Sequence, residues 1–140
     1  KYFLIRTAWL YGEGKNFVKT MLTLSEKNKT LRVVSDQTGS PTSAAELARF
    51  IIYLIRTDKY GIWHGVCDGS TSWYEFTKEI MKLSGKKETE VLPIMSVEYK
   101  TKAKRPHYSV LSNEKLHRET EFKIKTWQEA LKEYLSYHKI

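Results

Sequence analysis

An α/β fold follows from three observations. Apolar runs of strand length alternate with stretches of helical periodicity along the 140 residues, three helix starts carry a hydroxyl residue followed three places later by glutamate, and the connections are short. Right-handed crossovers between such elements set helices against a mostly parallel sheet. At this length the chain makes one domain, and folding buries roughly 68% of the surface an unfolded chain exposes.

The first element is Tyr2-Phe3-Leu4-Ile5, a continuous apolar run of the kind that strands buried on both faces show. It begins with no lead-in, as though its sheet neighbours came from earlier in a longer chain. Asn16 then offers an N-cap to a helix in which Phe17, Met21 and Leu24 form a stripe with Val18 and Leu22 beside it. Leu31 to Val34 reads as a short strand. Ser43-Ala44-Ala45-Glu46 reads as a capping box opening a helix with Leu47, Phe50, Ile51, Leu54 and Ile55 on its buried face. Because that helix is apolar almost all round, deep packing is expected.

Ile62 to Cys67 is the next strand, between Gly61 and Gly69, and Ser72-Trp73-Tyr74-Glu75 a second capping box for a helix carrying Trp73, Phe76, Ile80 and Leu83. Val91-Leu92-Pro93-Ile94 suits an edge strand, since proline cannot donate to a ladder. Met95 to Lys104 is an irregular loop. Thr126-Trp127-Gln128-Glu129, a third capping box, opens a last helix with Trp127, Ala130, Leu131, Tyr134 and Leu135 at helical spacing. Trp73, Tyr74, Phe76 and Trp127 read as core.

Composition excludes several classes. An apolar fraction of 41%, with nine tyrosines and four tryptophans, offsets the entropy of ordering and argues against disorder. No apolar run approaches the ~20 residues that cross a bilayer, and the opening run is too short for a signal peptide, so a soluble, cytoplasmic protein is expected, with no membrane partner. Cys67 is the single cysteine, which excludes an intrachain disulfide and a thiolate zinc site and leaves an inert, small core residue. His64, His107, His117 and His138 do not pair at metal spacing. The net charge of +8 admits nucleic acid or a phosphorylated ligand; without a helix of clustered Arg or Lys, nucleic acid ranks last. Lys100, Lys102, Lys104 and Arg105 crowd one stretch.

Three loops hang on rigid elements: Arg6 to Gly12, Asp36 to Thr42, and Arg105-Pro106. Asn16 either caps its helix or turns its amide and the following N–H groups to a diphosphate, which the helix dipole favours. Phe17 is staple packing or ligand contact. Gln37 has donors and an acceptor suited to a base edge or sugar hydroxyl, or else shapes its turn. Arg105 has a planar fork that matches phosphate oxygens, and Pro106 holds its backbone extended.

In order and spacing, Arg6-Thr7-Ala8-Trp9-Leu10-Tyr11-Gly12, Asn16-Phe17-Val18-Lys19-Thr20-Met21, Asp36-Gln37-Thr38-Gly39-Ser40-Pro41-Thr42, Ser72-Trp73-Tyr74-Glu75-Phe76 and Lys104-Arg105-Pro106-His107-Tyr108-Ser109-Val110-Leu111 resemble the C-terminal half of dTDP-4-dehydrorhamnose reductases, which are extended short-chain dehydrogenases. The resemblance implies the end of a Rossmann sheet plus a small α/β substrate-binding domain over residues 1–140. It also implies reduction of dTDP-4-dehydro-L-rhamnose to dTDP-L-rhamnose by NADPH or NADH in polysaccharide biosynthesis. Trp9, Asn16, Phe17, Gln37 and Arg105 are then the substrate-binding residues, Trp9 matching the tryptophan beside the deoxysugar.

The family's dinucleotide-binding domain, with its Gly-x-x-Gly-x-x-Gly loop, has no counterpart here. Phe17 stands where Gly12-Glu13-Gly14 would need a third glycine, and Gly61, Gly65 and Gly69 follow no strand. Tyr11 and Lys15 have Tyr-x-x-x-Lys spacing, but the intervening glycines argue for a loop, so the catalytic pair is expected in the missing N-terminal half and the fragment alone is expected to be inactive. Some members hold a divalent cation between subunits through helix carboxylates; Ala45 at that position argues against magnesium. Two related readings share the fold, a non-catalytic subunit like the regulatory subunit of methionine adenosyltransferase, and a nucleotide-sugar epimerase or dehydratase.

Overall fold

A computed structural model describes residues 1–99 and 103–138. Strands pair mostly in parallel, but as four two-stranded ribbons rather than one continuous sheet. β1 (Phe3–Arg6) runs parallel to β6 (Gly61–His64), and β3 (Thr30–Val34) to β8 (Glu90–Ile94). The short β2 (Leu10–Tyr11) lies parallel to β5 (Thr42–Ser43), and β4 (Thr38–Gly39) antiparallel to β7 (Thr71–Ser72). The helices are α1 (Phe17–Lys27), α2 (Ala44–Leu54), α3 (Trp73–Leu83), α4 (Glu114–Glu119) and α5 (Trp127–Tyr137).

Two apolar clusters hold these elements. The larger joins α1, α3 and α5 to β3 through Val18, Leu22, Leu31, Val33, Phe76, Ile80, Leu131 and Leu135. The smaller packs Phe50 and Leu54 of α2 with Trp63, Leu116 and Ile124. Cys67 is buried in the larger cluster, and burial pushes its thiol up to about 11.

Four expectations are corrected. β1 is covered on one face only: Phe3 and Ile5 pack against the smaller cluster, whereas Leu4 and its neighbour Ile62 are each 44% exposed. A parallel strand is buried on both faces only when helices cover both, and no described element covers this one. Likewise α2 buries Phe50 and Leu54 but exposes Ile51, Ile52 and Ile55, so its all-round apolarity does not translate into all-round packing. The strand expected to reach Cys67 stops at His64. Gly65 then passes so close to α2 and β1 that a Cβ there would lie 2.8 Å from Leu47 and 2.9 Å from Ile5.

The capping boxes also divide. Thr126 and Glu129 cap each other in both directions, and Ser72 accepts from the Glu75 N–H. Ser43 makes no side-chain cap, and the Glu46 carboxylate, which would have closed the other half of the box, is turned inward and 2% exposed. It accepts from the Lys125 backbone N–H at 3.0 Å and from Arg49 Nη1 at 2.6 Å. A tertiary donor has displaced the local one, and Glu46 ties α2 to the start of α5 instead. Among the described residues no helix is long and apolar enough to cross a membrane.

Candidate functional site

A cleft of about 370 Å³ opens between α1, β3 and the start of α3, within the size range of small-molecule sites. Phe17, Met21 and Leu24 supply one wall, so the apolar stripe of α1 faces the cleft while Val18 and Leu22 beside it enter the core. Trp73 continues that wall, its ring packed against Phe17 with 4.4 Å between ring centres and the planes tilted by 44°. The polar groups are Arg32, Gln37, Ser96 and Arg105, with Tyr99 at the rim. A larger depression of about 770 Å³ runs along α3, but three of its four lysines, Lys78, Lys82 and Lys86, are already paired with Glu75, Glu79 and Glu26.

Of the residues singled out in the sequence, Phe17, Gln37 and Arg105 meet in the cleft. Arg32 is held by Glu98 at 3.0 Å, whereas Arg105 pairs with no carboxylate among the described residues and is exposed at the mouth. Lys104 is also exposed; Lys100 and Lys102 lie outside the described residues. Trp9 stands one ring behind the wall, stacked on Trp73, and adopts a φ of 45° that a residue bearing a Cβ rarely takes. Backbone strain of this kind concentrates at ligand sites. Gly39 makes room for it, since a Cβ there would lie within 2.6 Å of the Trp9 ring atoms Cζ2 and Nε1.

Asn16 is not in the cleft wall. Its Nδ2 donates to the carbonyls of Gly12 at 2.7 Å and Gly14 at 3.2 Å and reaches the Tyr134 hydroxyl at 3.1 Å, while Oδ1 accepts from the Lys19 N–H. Every polar atom of its side chain is therefore committed within the protein, and its effect on the cleft is to fix the first turn that carries Phe17. The same bonds close the Gly12 to Gly14 loop on itself. A Cβ at Gly12 would meet Ala44 at 2.7 Å, so this glycine serves packing.

Tyr11 is buried in the larger cluster with its hydroxyl unpartnered, and burial raises its phenol far above the ordinary value. Lys15 is exposed. Among the described residues no group of three His, Cys, Asp or Glu is placed to hold a metal. Trp73, expected as core, is half-buried and in the cleft wall, Tyr74 is half-buried, and Phe76 and Trp127 are buried. Sequence reasoning also missed Met21, Arg32, Ser96 and Tyr99 as lining; helical spacing put Met21 on a stripe but gave no sign that the stripe faces a cleft.

The family profile described as the RmlD substrate binding domain matches residues 1–140. The chain belongs to the RmlD substrate-binding domain family. The α/β fold matches the C-terminal half of solved RmlD structures. One, a dTDP-4-dehydrorhamnose reductase from Clostridium acetobutylicum, superposes with a TM-score of 0.95 at 45% identity, over 100% of this chain and 50% of that one. A second, from Bacillus anthracis and solved in complex with NADP, gives 0.90 at 40% identity over 98% of this chain and 48% of that one. The spore coat polysaccharide biosynthesis protein SpsK of Bacillus subtilis is 48% identical over 133 residues, 94% of this chain and 46% of SpsK. This RmlD domain thus spans about half the length of the curated relatives it matches.

Proposed function

We propose that this RmlD domain binds the dTDP-linked keto-sugar, dTDP-4-dehydro-L-rhamnose, for NADPH- or NADH-dependent reduction to dTDP-L-rhamnose. The observation that carries the reading is the cleft itself. The joined aromatic surface of Phe17 and Trp73 suits one face of a flat base; the Gln37 amide in the same lining suits its polar edge; and the exposed Arg105 guanidinium suits a diphosphate. Trp9, behind Trp73, sits on the side of the opening strand and serves the sugar end. Asn16 acts by holding α1. Two relatives of this domain are named dTDP-4-dehydrorhamnose reductases, which favours thymidine over other bases.

In this reading the dinucleotide and the proton-donating Tyr/Lys pair belong to an N-terminal half. That half has a place to dock: among the described residues β1 pairs only with β6, leaving its second edge unpaired, and Leu4 and Ile62 present apolar surface beside it. This domain then contributes binding and orientation, which by themselves lower a barrier by several kcal/mol.

Thermal denaturation with dTDP, UDP and ATP tests the reading. A ligand that binds only the native state adds about 2.7 kcal/mol at a hundredfold excess over Kd, so dTDP raises Tm and the other two do so less. A folded chain whose Tm ignores dTDP opposes it. With the N-terminal half present, NADPH consumption on dTDP-4-dehydro-L-rhamnose and on a dTDP-4-keto-sugar of different ring stereochemistry identifies the sugar; the 140-residue chain alone consumes none.

A further inference from the structure

Asp36 lies outside the cleft lining yet touches two of the segments that bring polar groups to it and belongs to the third. Its carboxylate accepts from the Ser96 backbone N–H at 2.8 Å and from the Ser96 hydroxyl at 2.8 Å. On its other side the His107 ring Nδ1 is 3.0 Å from the Asp36 backbone carbonyl and 3.4 Å from the carboxylate. Ladder-like bonds continue from there: the Thr38 N–H donates to the His107 carbonyl at 2.8 Å, and the Ser109 N–H to the Thr38 carbonyl at 2.9 Å. The Asp36 side chain is only 14% exposed.

The chain positions of these partners matter. Gln37 follows Asp36 directly. Ser96 opens the 3-10 turn Ser96–Glu98, which ends against Tyr99, and both Ser96 and Tyr99 line the cleft. His107 is two residues beyond Arg105. These segments are 60 and 71 residues from Asp36 in sequence, and this one residue draws them to a common point, the carboxylate holding Ser96 while the backbone carbonyl, with the carboxylate 3.4 Å away, meets His107. Hydrogen bonds to an ionised acceptor are roughly twice as strong as neutral ones, so a carboxylate suits that junction.

We propose that Asp36 is the positioning residue of the cleft. As a clasp it sets the distance between the Gln37 amide and the Arg105 guanidinium, and so the reach from base to diphosphate that the cleft accepts. This rests on the reading of the cleft as a dTDP site. Asp36 makes no contact with ligand in this scheme; it acts through Ser96 and His107.

The test compares the 140-residue chain with Asp36→Ala and Asp36→Asn, measuring dTDP and thymidine affinity by calorimetry and amide hydrogen exchange residue by residue. In Asp36→Ala the dTDP Kd rises at least about tenfold, the loss expected for one charge-assisted contact's worth of positioning. The thymidine Kd, which needs no reach to Arg105, changes little. Exchange quickens at Ser96, Thr38 and Ser109 and not in α3 or α5. Asp36→Asn, which keeps one acceptor oxygen, recovers most of both effects. Unchanged exchange at those three amides, equal loss of dTDP and thymidine affinity, or acceleration spread through α3 and α5 overturns the proposal. If the unaltered chain ignores dTDP, the reading of the cleft fails, and the exchange pattern alone decides whether the clasp exists.

Discussion

The indole of Trp73 lies flat on that of Trp9, their ring centres 3.4 Å apart and their planes 7° from parallel. The stack joins the loop after β1 to the start of α3, and Gly39 closes it from the other side. Trp9 holds its positive φ because this sandwich leaves its ring no other place, so the cleft wall is stiff before any ligand arrives.

Gly39→Ala therefore pushes a methyl group into the Trp9 ring. Overpacking of this kind costs about 1–3 kcal/mol, and relief requires the stack to open. The expected outcome is a lower Tm together with loss of the near-ultraviolet circular dichroism of the paired indoles and weaker dTDP binding. Unchanged indole signals contradict the stacking argument.

Arg105→Ala removes the one cleft guanidinium that is not held by Glu98. Since the side chain is exposed, stability changes by less than about 0.5 kcal/mol, whereas dTDP affinity falls roughly 10- to 100-fold. Arg105→Lys recovers only part, because an ammonium cannot grip two phosphate oxygens in one plane. Paired calorimetry and melting curves separate the two effects.

Tyr11→Phe deletes a buried hydroxyl that has no hydrogen-bond partner among the described residues, while keeping the ring packed edge-on against Tyr134. Removing an unsatisfied buried polar group makes the variant as stable as the parent or more so, by about 1 kcal/mol. On the proposed reading, in which the proton donor lies in the N-terminal half, it also keeps full turnover once that half is present; a large fall in kcat shows otherwise.

Cys67 gives an alkaline limit. Its thiol is raised from 9.0 to about 11 by burial, with the carboxylates of Glu46 and Asp68 adding to the effect. The unfolded chain loses this proton near 9 and the folded chain only near 11, so the stability linked to it is full below pH 9 and falls as pH climbs toward 11, by about 3 kcal/mol in all. Denaturant midpoints from pH 8 to 11 show the decline, and Cys67→Ala removes the part that begins near pH 9, leaving the loss above pH 10 that the raised phenol of Tyr11 adds. At pH 8 the native thiol resists alkylation until the chain unfolds.

Much of this was legible in the residues themselves. Element order, the helix starts at Ser72 and Thr126, and the buried face of α5 follow from periodicity and capping, which depend on neighbours within a turn or two. Phe17, Gln37 and Arg105 were also findable, by motif resemblance joined to side-chain chemistry. Trp73 was not. Its spacing with Phe76 and Ile80 is that of a core residue, and only the stacking on Trp9 and the packing against Phe17 place it in the cleft lining.

The sequence by itself determined the four long helices, the strands around Phe3–Arg6, Thr30–Val34 and Glu90–Ile94 and which loops carry polar groups, because capping and local apolar patterning depend on near neighbours; α4 and the two-residue strands carry no such signal. The tertiary structure decided sidedness: that the Phe17 stripe walls a cleft, that Ile51 and Ile55 stay exposed, that Glu46 leaves its own helix cap for Lys125, and that Asp36 gathers Ser96 and His107. Such choices turn on partners sixty or more residues away, where the energy of one contact depends on what every other packed element leaves uncovered.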